Sequence, residues 1–343
     1  MKESEHLLTK ENQNGIKMKS LLLDRNLALE AVRVTEIAAI ASSFHMGRGN
    51  EKAADQSAVN AMRDFLNDLD INGKVVIGEG ERDKAPMLYI GEMVGKGGIN
   101  VDIALDPLEG TTITAHGGEN ALSVLAIGEE GSFLHAPDIY MQKVAYGYKY
   151  QDLEININDE PKKIINDFSK YSGIRQENIV VCVLDRIRHK KLISEIRATG
   201  ARIKLIPDGD VSAVIATSIE DSGIDIYMGI GGSPEGVLAA AALRCLGGKI
   251  YTKLIYDSDE SFKRAKNMGV LDKDKIYETN DLASGDVMFS ATGVTDGTLL
   301  KGVRIKNDMA HTESVVMRSQ TNTVRHIKAK HNLNIKKYRS YFK

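Results

Sequence analysis

Asp106-Pro107-Leu108-Glu109-Gly110-Thr111-Thr112 follows the run Val101-Asp102-Ile103-Ala104-Leu105, and the reading of that junction decides the fold. The run has the length and apolar, β-branched character of a strand. Pro107 has no N–H to give to a ladder, so the strand is expected to stop at Asp106. In an open α/β sheet, strand ends are where ligands collect. Two carboxylates three residues apart, followed by a glycine and two hydroxyls, suit a divalent cation with a phosphate beside it. Mg²⁺ and Mn²⁺ take hard oxygen ligands, and Gly110 lets the backbone approach an anion closely. Taken alone, Asp-Pro opens many ordinary capped turns. Its neighbours change that reading.

Upstream, the pattern from Arg25 to Phe44 is helical and ends at Gly47-Arg48-Gly49. A second helix is expected from about Ala53, with Ala58, Met62, Phe65, Leu66 and Leu69 on one stripe and Asp55 off it in the first turn. A short strand, Lys74–Ile77, runs into Gly78-Glu79-Gly80-Glu81, and Pro86 is expected to open a helix. Downstream, Leu122–Ile127 reads as a strand, Gly128–Gly131 as a turn into a hairpin with Ser132-Phe133-Leu134, and Tyr140–Gly147 as another strand. A polar stretch, 148–170, makes the best candidate boundary.

The second half alternates strand and helix: Ile179–Leu184, Lys190–Thr199, Ala201–Ile206, Val211–Ile219, Ile224–Met228, then Val237–Leu246. Such alternation implies a largely parallel sheet covered by helices. Between the last two lies Gly-Ile-Gly-Gly-Ser-Pro-Glu-Gly, 229–236. Pro234 and Glu235 argue against a dinucleotide loop there, because they would bring a rigid turn and a negative charge to the phosphate. Asp286–Thr292 is a further strand, and Glu313–Arg318 with Thr321–His326 form a pair around Ser319-Gln320.

Composition bounds the function. At 343 residues with 42% hydrophobic and 27% charged residues, the chain can build one large or two modest α/β domains. A formal net charge of −2 argues against a nucleic-acid binder. Cys182 and Cys245 are far apart in apolar segments, which fits a reducing cytoplasm and neither a disulfide framework nor a zinc site. No run approaches a membrane span. Residues 1–18 are expected to be a disordered leader, with Met18 as an alternative start. No acid follows Glu313 while eight Lys or Arg do, so the first 313 residues carry −10 and the chain ends in a basic tail. The expected division is leader 1–18, metal- and phosphate-binding domain 19–165, α/β substrate domain 166–332 and basic tail 333–343.

Acids at strand ends or helix starts now include Asp55, Glu79, Asp106, Glu109 and Glu235, with Asp208 and Asp210 bracketing Gly209. Converging uncompensated carboxylates repel unless cations sit among them. In this order, Gly-Arg-Gly-Asn-Glu-Lys-Ala-Ala-Asp (47–55), Val-Ile-Gly-Glu-Gly-Glu (76–81), Ala-Pro-Met-Leu-Tyr-Ile-Gly-Glu (85–92), the 106–112 stretch, Asp-Gly-Asp-Val-Ser-Ala-Val-Ile (208–215) and Gly-Ile-Gly-Gly-Ser-Pro-Glu-Gly-Val (229–237) resemble the class II fructose-1,6-bisphosphatases. That class lies within the lithium-sensitive, metal-dependent sugar-phosphate phosphatases. The resemblance runs from about Leu27 to about His331.

The resemblance implies a layered αβαβα sandwich of the sugar phosphatase type, a homo-oligomer (dimer or tetramer) and Mn²⁺ or Mg²⁺. It implies hydrolysis of the 1-phosphate of fructose 1,6-bisphosphate in gluconeogenesis and glycerol metabolism, in the cytoplasm, with no nucleic-acid or membrane partner. Family metal ligands fall on Asp55, Glu79, Asp106, Glu109 and Glu235. Substrate contacts fall on Glu109, Gly110, Thr111, Tyr140, Arg186, Ile187, Arg188, Asp208, Gly209, Asp210 and Gly232. Catalytic roles fall on Thr111, Asp55 and Glu79. Three positions depart from the family pattern: Asn50-Glu51 stand where Asp-Lys is common, moving the lysine to Lys52, Ile187 replaces a proline and Ser233 an alanine. The alternatives are a sedoheptulose-1,7-bisphosphatase, an inositol-phosphate phosphatase, or a catalytically silent sugar-phosphate sensor that would keep the pocket and lose a ligand.

Overall fold

A computed structural model describes residues 26–80 and 87–335. The leader, Glu81, Pro86 and the tail lysines and arginine at 336, 337, 339 and 343 lie outside those residues. The chain opens with two helices, α1 (residues 26–43) and α2 (Glu51–Leu66), the second capped by Asn50, whose side chain accepts from Ala53 N at 3.0 Å. Four strands follow: β1 (Ile71–Ile77), β2 (Met93–Val94), β3 (Ile99–Glu109) and β4 (Leu122–Glu129), with the short α3 (Thr111–His116) between the last two.

The chain then leaves for a second sheet. It lays down β5 (Tyr140–Tyr146), α4 (Pro161–Ser172), β6 (Val180–Leu184), α5 (Lys190–Ala198), β7 (Arg202–Ile206) and α6 (Asp210–Ala216). Next come β8 (Ile226–Gly232), α7 (Ser233–Leu246), β9 (Lys249–Ile255), α8 (Asp259–Asn267), β10 (Ile276–Glu278) and α9 (Thr279–Leu282). It returns with β11 (Val287–Gly293), β12 (Arg304–Lys306), β13 (Met309–Arg318) and β14 (Thr323–Asn332). The first sheet has the order β12-β13-β11-β4-β3-β1-β2 with β14 against β13, and the second β10-β9-β5-β8-β6-β7. The chain therefore changes sheet between β4 and β5 and again before β11. The expected boundary at 165/166 falls at neither crossing.

Alternation along the strands builds the layers. Ile103, Leu105, Leu125 and Ile127 face α1 and α2, packing on Ile40, Met62 and Leu66. Their neighbours Ala104, Val124 and Ala126 face the other way, into a core shared with α6, α7 and the second sheet's Met141 and Tyr227. On the far face of that sheet Val144, Val181 and Ile226 pack against Ile165, Phe168 and Ile196 of α4 and α5. The result is an αβαβα sandwich. Helix α7 lies in its middle layer and is apolar nearly all round, with every residue from Gly236 to Leu243 buried.

Several expectations change. The second sheet is mixed: β6 pairs parallel with β7 and β8, but β5 runs antiparallel to both β8 and β9. The β8-α7-β9 crossover is thus split by a strand inserted from earlier in the chain, which no local pattern records. Ser132–Leu134 forms no hairpin; Phe133 makes a single bridge to Ala283. Residues 87–92, after Pro86, are turns. There Leu88 has φ 54°, and the backbone bonds to β1 and the loop after it through Glu79 N to Leu88 O, Gly91 N to Val75 O and Val75 N to Glu92 O. Those groups are spent on the strand and cannot close helical turns.

Candidate active site

Strand β3 does not stop at Asp106. It bulges: Asp106 lies opposite Val124 and Glu109 opposite Leu122, so three steps on β3 match two on β4. In a regular strand residues three apart face opposite sides; the extra residue brings Asp106 and Glu109 to the same one. Pro107 sits inside this bulge, where its missing N–H costs no ladder bond. Leu108 N donates to Asp106 Oδ1 at 3.0 Å, fixing the carboxylate. Strand β1 shows a similar register shift between Val75 and Ile77, just before Gly78-Glu79.

These junctions meet at a cleft of about 320 Å³ between the two sheets. It is lined by Asp55 of α2, Glu79 after β1, Asp106 and Glu109 of β3, and Gly110-Thr111 at the start of α3. Asp208, Asp210 and Glu235 complete the wall from the second sheet's side. Gly110 adopts φ 89°, ψ 51°, a conformation that turns the chain from the bulge into α3 and favours glycine. Gly209 does the same before α6, with φ 83°.

The Gly-rich run at 229–236 is not a loop. Strand β8 extends through Gly232, and α7 starts at Ser233 with Pro234 in its first turn. The glycines make room for acids: a Cβ at Gly231 would lie 2.1 Å from Asp210 Oδ2, and one at Gly232 2.0 Å from Glu235 Oε2.

The electrostatics are lopsided. Burial and the Asp55 charge push Glu79 up to about 8. Burial, then Glu79 and Glu235, raise Asp106 well above the usual carboxylate range, and burial, then Asp210 and Asp106, do so for Glu109. Burial also raises Asp55, Asp208 and Glu235. Glu109 Oε1 accepts from Val211 N at 2.8 Å, whereas Glu109 Oε2 and Glu235 Oε2 are buried with no hydrogen-bond partner. Among the described residues no three or more His, Cys or carboxylate side chains are drawn together as a finished cation cage. The donor set still fits a hard divalent cation: it is all oxygen, it is negative, and two buried oxygens lack partners.

The remaining candidates adjoin the cleft without lining it. Arg186 lies 3.5 Å from Asp208 in an ion pair. Arg188 gives Nε and Nη2 to Ile230 O at 3.0 and 2.8 Å and stacks 4.7 Å over the Tyr140 ring. One edge of its fork is therefore already used. His189 braces this turn as a neutral ring, with Nδ1 2.7 Å from Leu184 O and Nε2 accepting from Ile230 N at 2.8 Å; burial holds its pKa down. Ile187 is 83% exposed. Lys52 is exposed in the first turn of α2, three residues before Asp55 and so on the same helical face.

Two charged residues escaped the sequence reading. Asp138 lines the cleft, and its charge helps raise the pKa of Glu235; like the other acids it sits at a strand end, just before β5. Lys143, only 1% exposed in the middle of β5, donates to Asp210 Oδ2 at 2.6 Å. A lone lysine inside the apolar run 140–147 was the available signal, since lysines are almost never fully buried unless paired.

A family model described as bacterial fructose-1,6-bisphosphatase, glpX-encoded, matches residues 25–331. Proteins named D-fructose 1,6-bisphosphatase class 2/sedoheptulose 1,7-bisphosphatase from Synechococcus sp. (strain JA-3-3Ab) and Trichodesmium erythraeum (strain IMS101) are each 44% identical over 335 residues. Those matches cover 90% of this chain and 96% and 97% of the two relatives. A protein of the same name from Gloeobacter violaceus (strain ATCC 29082 / PCC 7421) is also 44% identical, over 96% of its length.

Proposed function

The chain belongs to the class II fructose-1,6-bisphosphatase family, and from that premise we propose that it hydrolyses the 1-phosphate of fructose 1,6-bisphosphate at the cleft between its sheets. One observation carries the reading: Asp55, Glu79, Asp106, Glu109 and Glu235 line one cleft beside Gly110-Thr111, with two buried carboxylate oxygens unpartnered. These five carboxylates would hold Mn²⁺ or Mg²⁺. When bound, the cation supplies Lewis-acid activation of water and offsets charge gathering on the leaving oxygen.

The chain's own groups do the rest. Thr111, at the mouth of the bulge, orients the attacking water through its hydroxyl, and the backbone N–H groups after Gly110 receive the phosphate. Asp208 and Asp210, as acceptors, hold sugar hydroxyls. Arg186, Arg188 and Tyr140 read the far phosphate from the cleft's edge; Arg188 does so with the Nη1 side of its fork, since the other edge is bound to Ile230. Ile187, Gly209 and Gly232 serve by shaping the surrounding backbone. The same reading places the enzyme in the cytoplasm as a homo-oligomer. A reducing compartment is supported by the two buried free cysteines, Cys182 and Cys245; among the described residues no helix is long and apolar enough to cross a membrane.

Sedoheptulose 1,7-bisphosphate is the second substrate to try, because the relatives carry both activities in their names. The experiment is phosphate release from fructose 1,6-bisphosphate, sedoheptulose 1,7-bisphosphate, inositol phosphate and fructose 1-phosphate with Mn²⁺, Mg²⁺ or EDTA. Metal-dependent release from a ketose bisphosphate is expected. Release unaffected by EDTA, or none from either bisphosphate, would overturn the proposal.

A further inference from the structure

Helix α6 enters the cleft between two anchors. From the first sheet, Glu109 Oε1 accepts from Val211 N at 2.8 Å. From the second, Lys143 Nζ reaches Asp210 Oδ2 at 2.6 Å, with the Tyr227 hydroxyl 3.5 Å from the same oxygen. The lysine is enclosed: a Cβ at Gly231 would lie 3.0 Å from its Nζ, and one at Gly236 3.3 Å from its Cε. Glycines at both positions keep the slot open. Lys143 also partly offsets the charge on Glu235.

Burying an ammonium group is expensive, and an internal ion pair is often replaceable by apolar side chains at no loss of stability. Core stability alone therefore gives little reason for a lysine in β5. Its contact is with a carboxylate that lines the cleft. With Oδ2 committed to Lys143, the Asp210 carboxylate cannot swing about its side-chain torsions, and its remaining acceptor capacity keeps one direction.

We propose that Lys143 is the positioning residue of the sugar subsite: by holding Asp210 Oδ2 from the second sheet, it aims Asp210 at the hydroxyls of the bound sugar bisphosphate. This rests on the bisphosphatase reading above. Lys143 does not touch the reacting phosphate, so its removal is expected to weaken substrate binding more than turnover, acting through Asp210, the carboxylate it bonds.

The test compares Lys143→Met, Asp210→Asn and the double variant with wild type, measuring KM and kcat for fructose 1,6-bisphosphate at saturating Mn²⁺. Each single variant is expected to raise KM roughly tenfold to hundredfold, the scale of one lost charged hydrogen bond, with kcat within about threefold. The double variant is expected to be no worse than Asp210→Asn alone, because the two residues share one interaction. A KM for Lys143→Met within about twofold of wild type, a loss in kcat instead of KM, or multiplied effects in the double variant would each overturn the assignment. Should Lys143→Met fail to fold, the double variant carries a neutral pair of similar size. Its KM equal to that of Asp210→Asn supports the proposal, and a further tenfold rise overturns it. A wild type that releases no phosphate sinks the bisphosphatase reading, and this assignment with it, before any variant is made.

Discussion

Two kinds of carboxylate line the cleft. Asp210 has a cation supplied by the fold, the Lys143 ammonium at 2.6 Å. Asp55, Glu79, Asp106, Glu109 and Glu235 have no ion pair among the described residues, and burial with mutual repulsion raises the pKa of each or of its neighbours. Both sets occupy similar low-dielectric surroundings, so the difference is one of design. On the proposed function, the acid that reads a neutral hydroxyl has its counter-charge supplied by the chain, whereas the acids that would receive a cation have none, and the unfavourable field among them would favour binding it.

The sharpest way to break this contrast is Asp106→Asn, which keeps the shape of the bulge and removes one charge from the uncompensated set. Turnover at saturating Mn²⁺ is expected to drop by roughly 10³-fold or more, while the metal-free protein melts higher because a repulsion is gone. Near-wild-type turnover would show that the acids are not a cation site. Thr111→Ala leaves both sets of charges intact and tests the chemistry between them. A loss of roughly 10²-fold in kcat with KM little changed is expected for a group that orients water. A risen KM with kcat preserved would make Thr111 a phosphate clamp instead.

Arg188→Ala probes the compensated side. It should raise KM for fructose 1,6-bisphosphate about tenfold, nearer the lower end of an arginine fork's worth because Nε and Nη2 already serve Ile230 O. The kcat/KM ratio of the bisphosphate to fructose 1-phosphate should narrow, and an unchanged ratio would place the second phosphate elsewhere.

The smallest effect comes from an acid outside the cleft. Glu36 on α1 is buried, accepts from Thr312 Oγ1 at 3.3 Å and lies 3.8 Å from His331 Nε2; burial pushes it up to about 7. Its folded pKa exceeds the unfolded 4.5, so the folded state holds the proton longer. Its contribution to stability is complete below about pH 4.5, declines as pH rises, and is lost above about pH 7, a change on the order of 3 kcal/mol. Glu36→Gln should flatten that decline in chemical denaturation at pH 5 and pH 8. An identical pH dependence in both proteins would show that Glu36 ionises freely.

Much of the site was legible because the acids sit in short motifs at element ends. Asp55, Glu79, Asp106, Glu109, Thr111, Asp208, Asp210 and Glu235 were all singled out, and the structure brings them to one cleft. The helices α1, α2 and α5 and most strands followed the period of their apolar residues. Pro107 misled, because proline stops a regular ladder but is tolerated at a bulge. Lys143 and Asp138 carry no local signature of a role, because their meaning lies in residues far along the chain, 67 positions away for Lys143 and Asp210.

What the sequence determined by itself, then, was the chemistry: which oxygens and hydroxyls exist, and that βα junctions carry them. Only the tertiary structure decided how they are aimed. The extra residue between Asp106 and Glu109 sets their common face through pairing with β4. Strand β5 splits β8 from β9, and residues 287–332 return to complete the first sheet. The last two are pairings between segments distant in sequence, and they enclose α7, which is buried between the sheets. Apolar periodicity reports that a face is buried and carries no label for the partner that buries it.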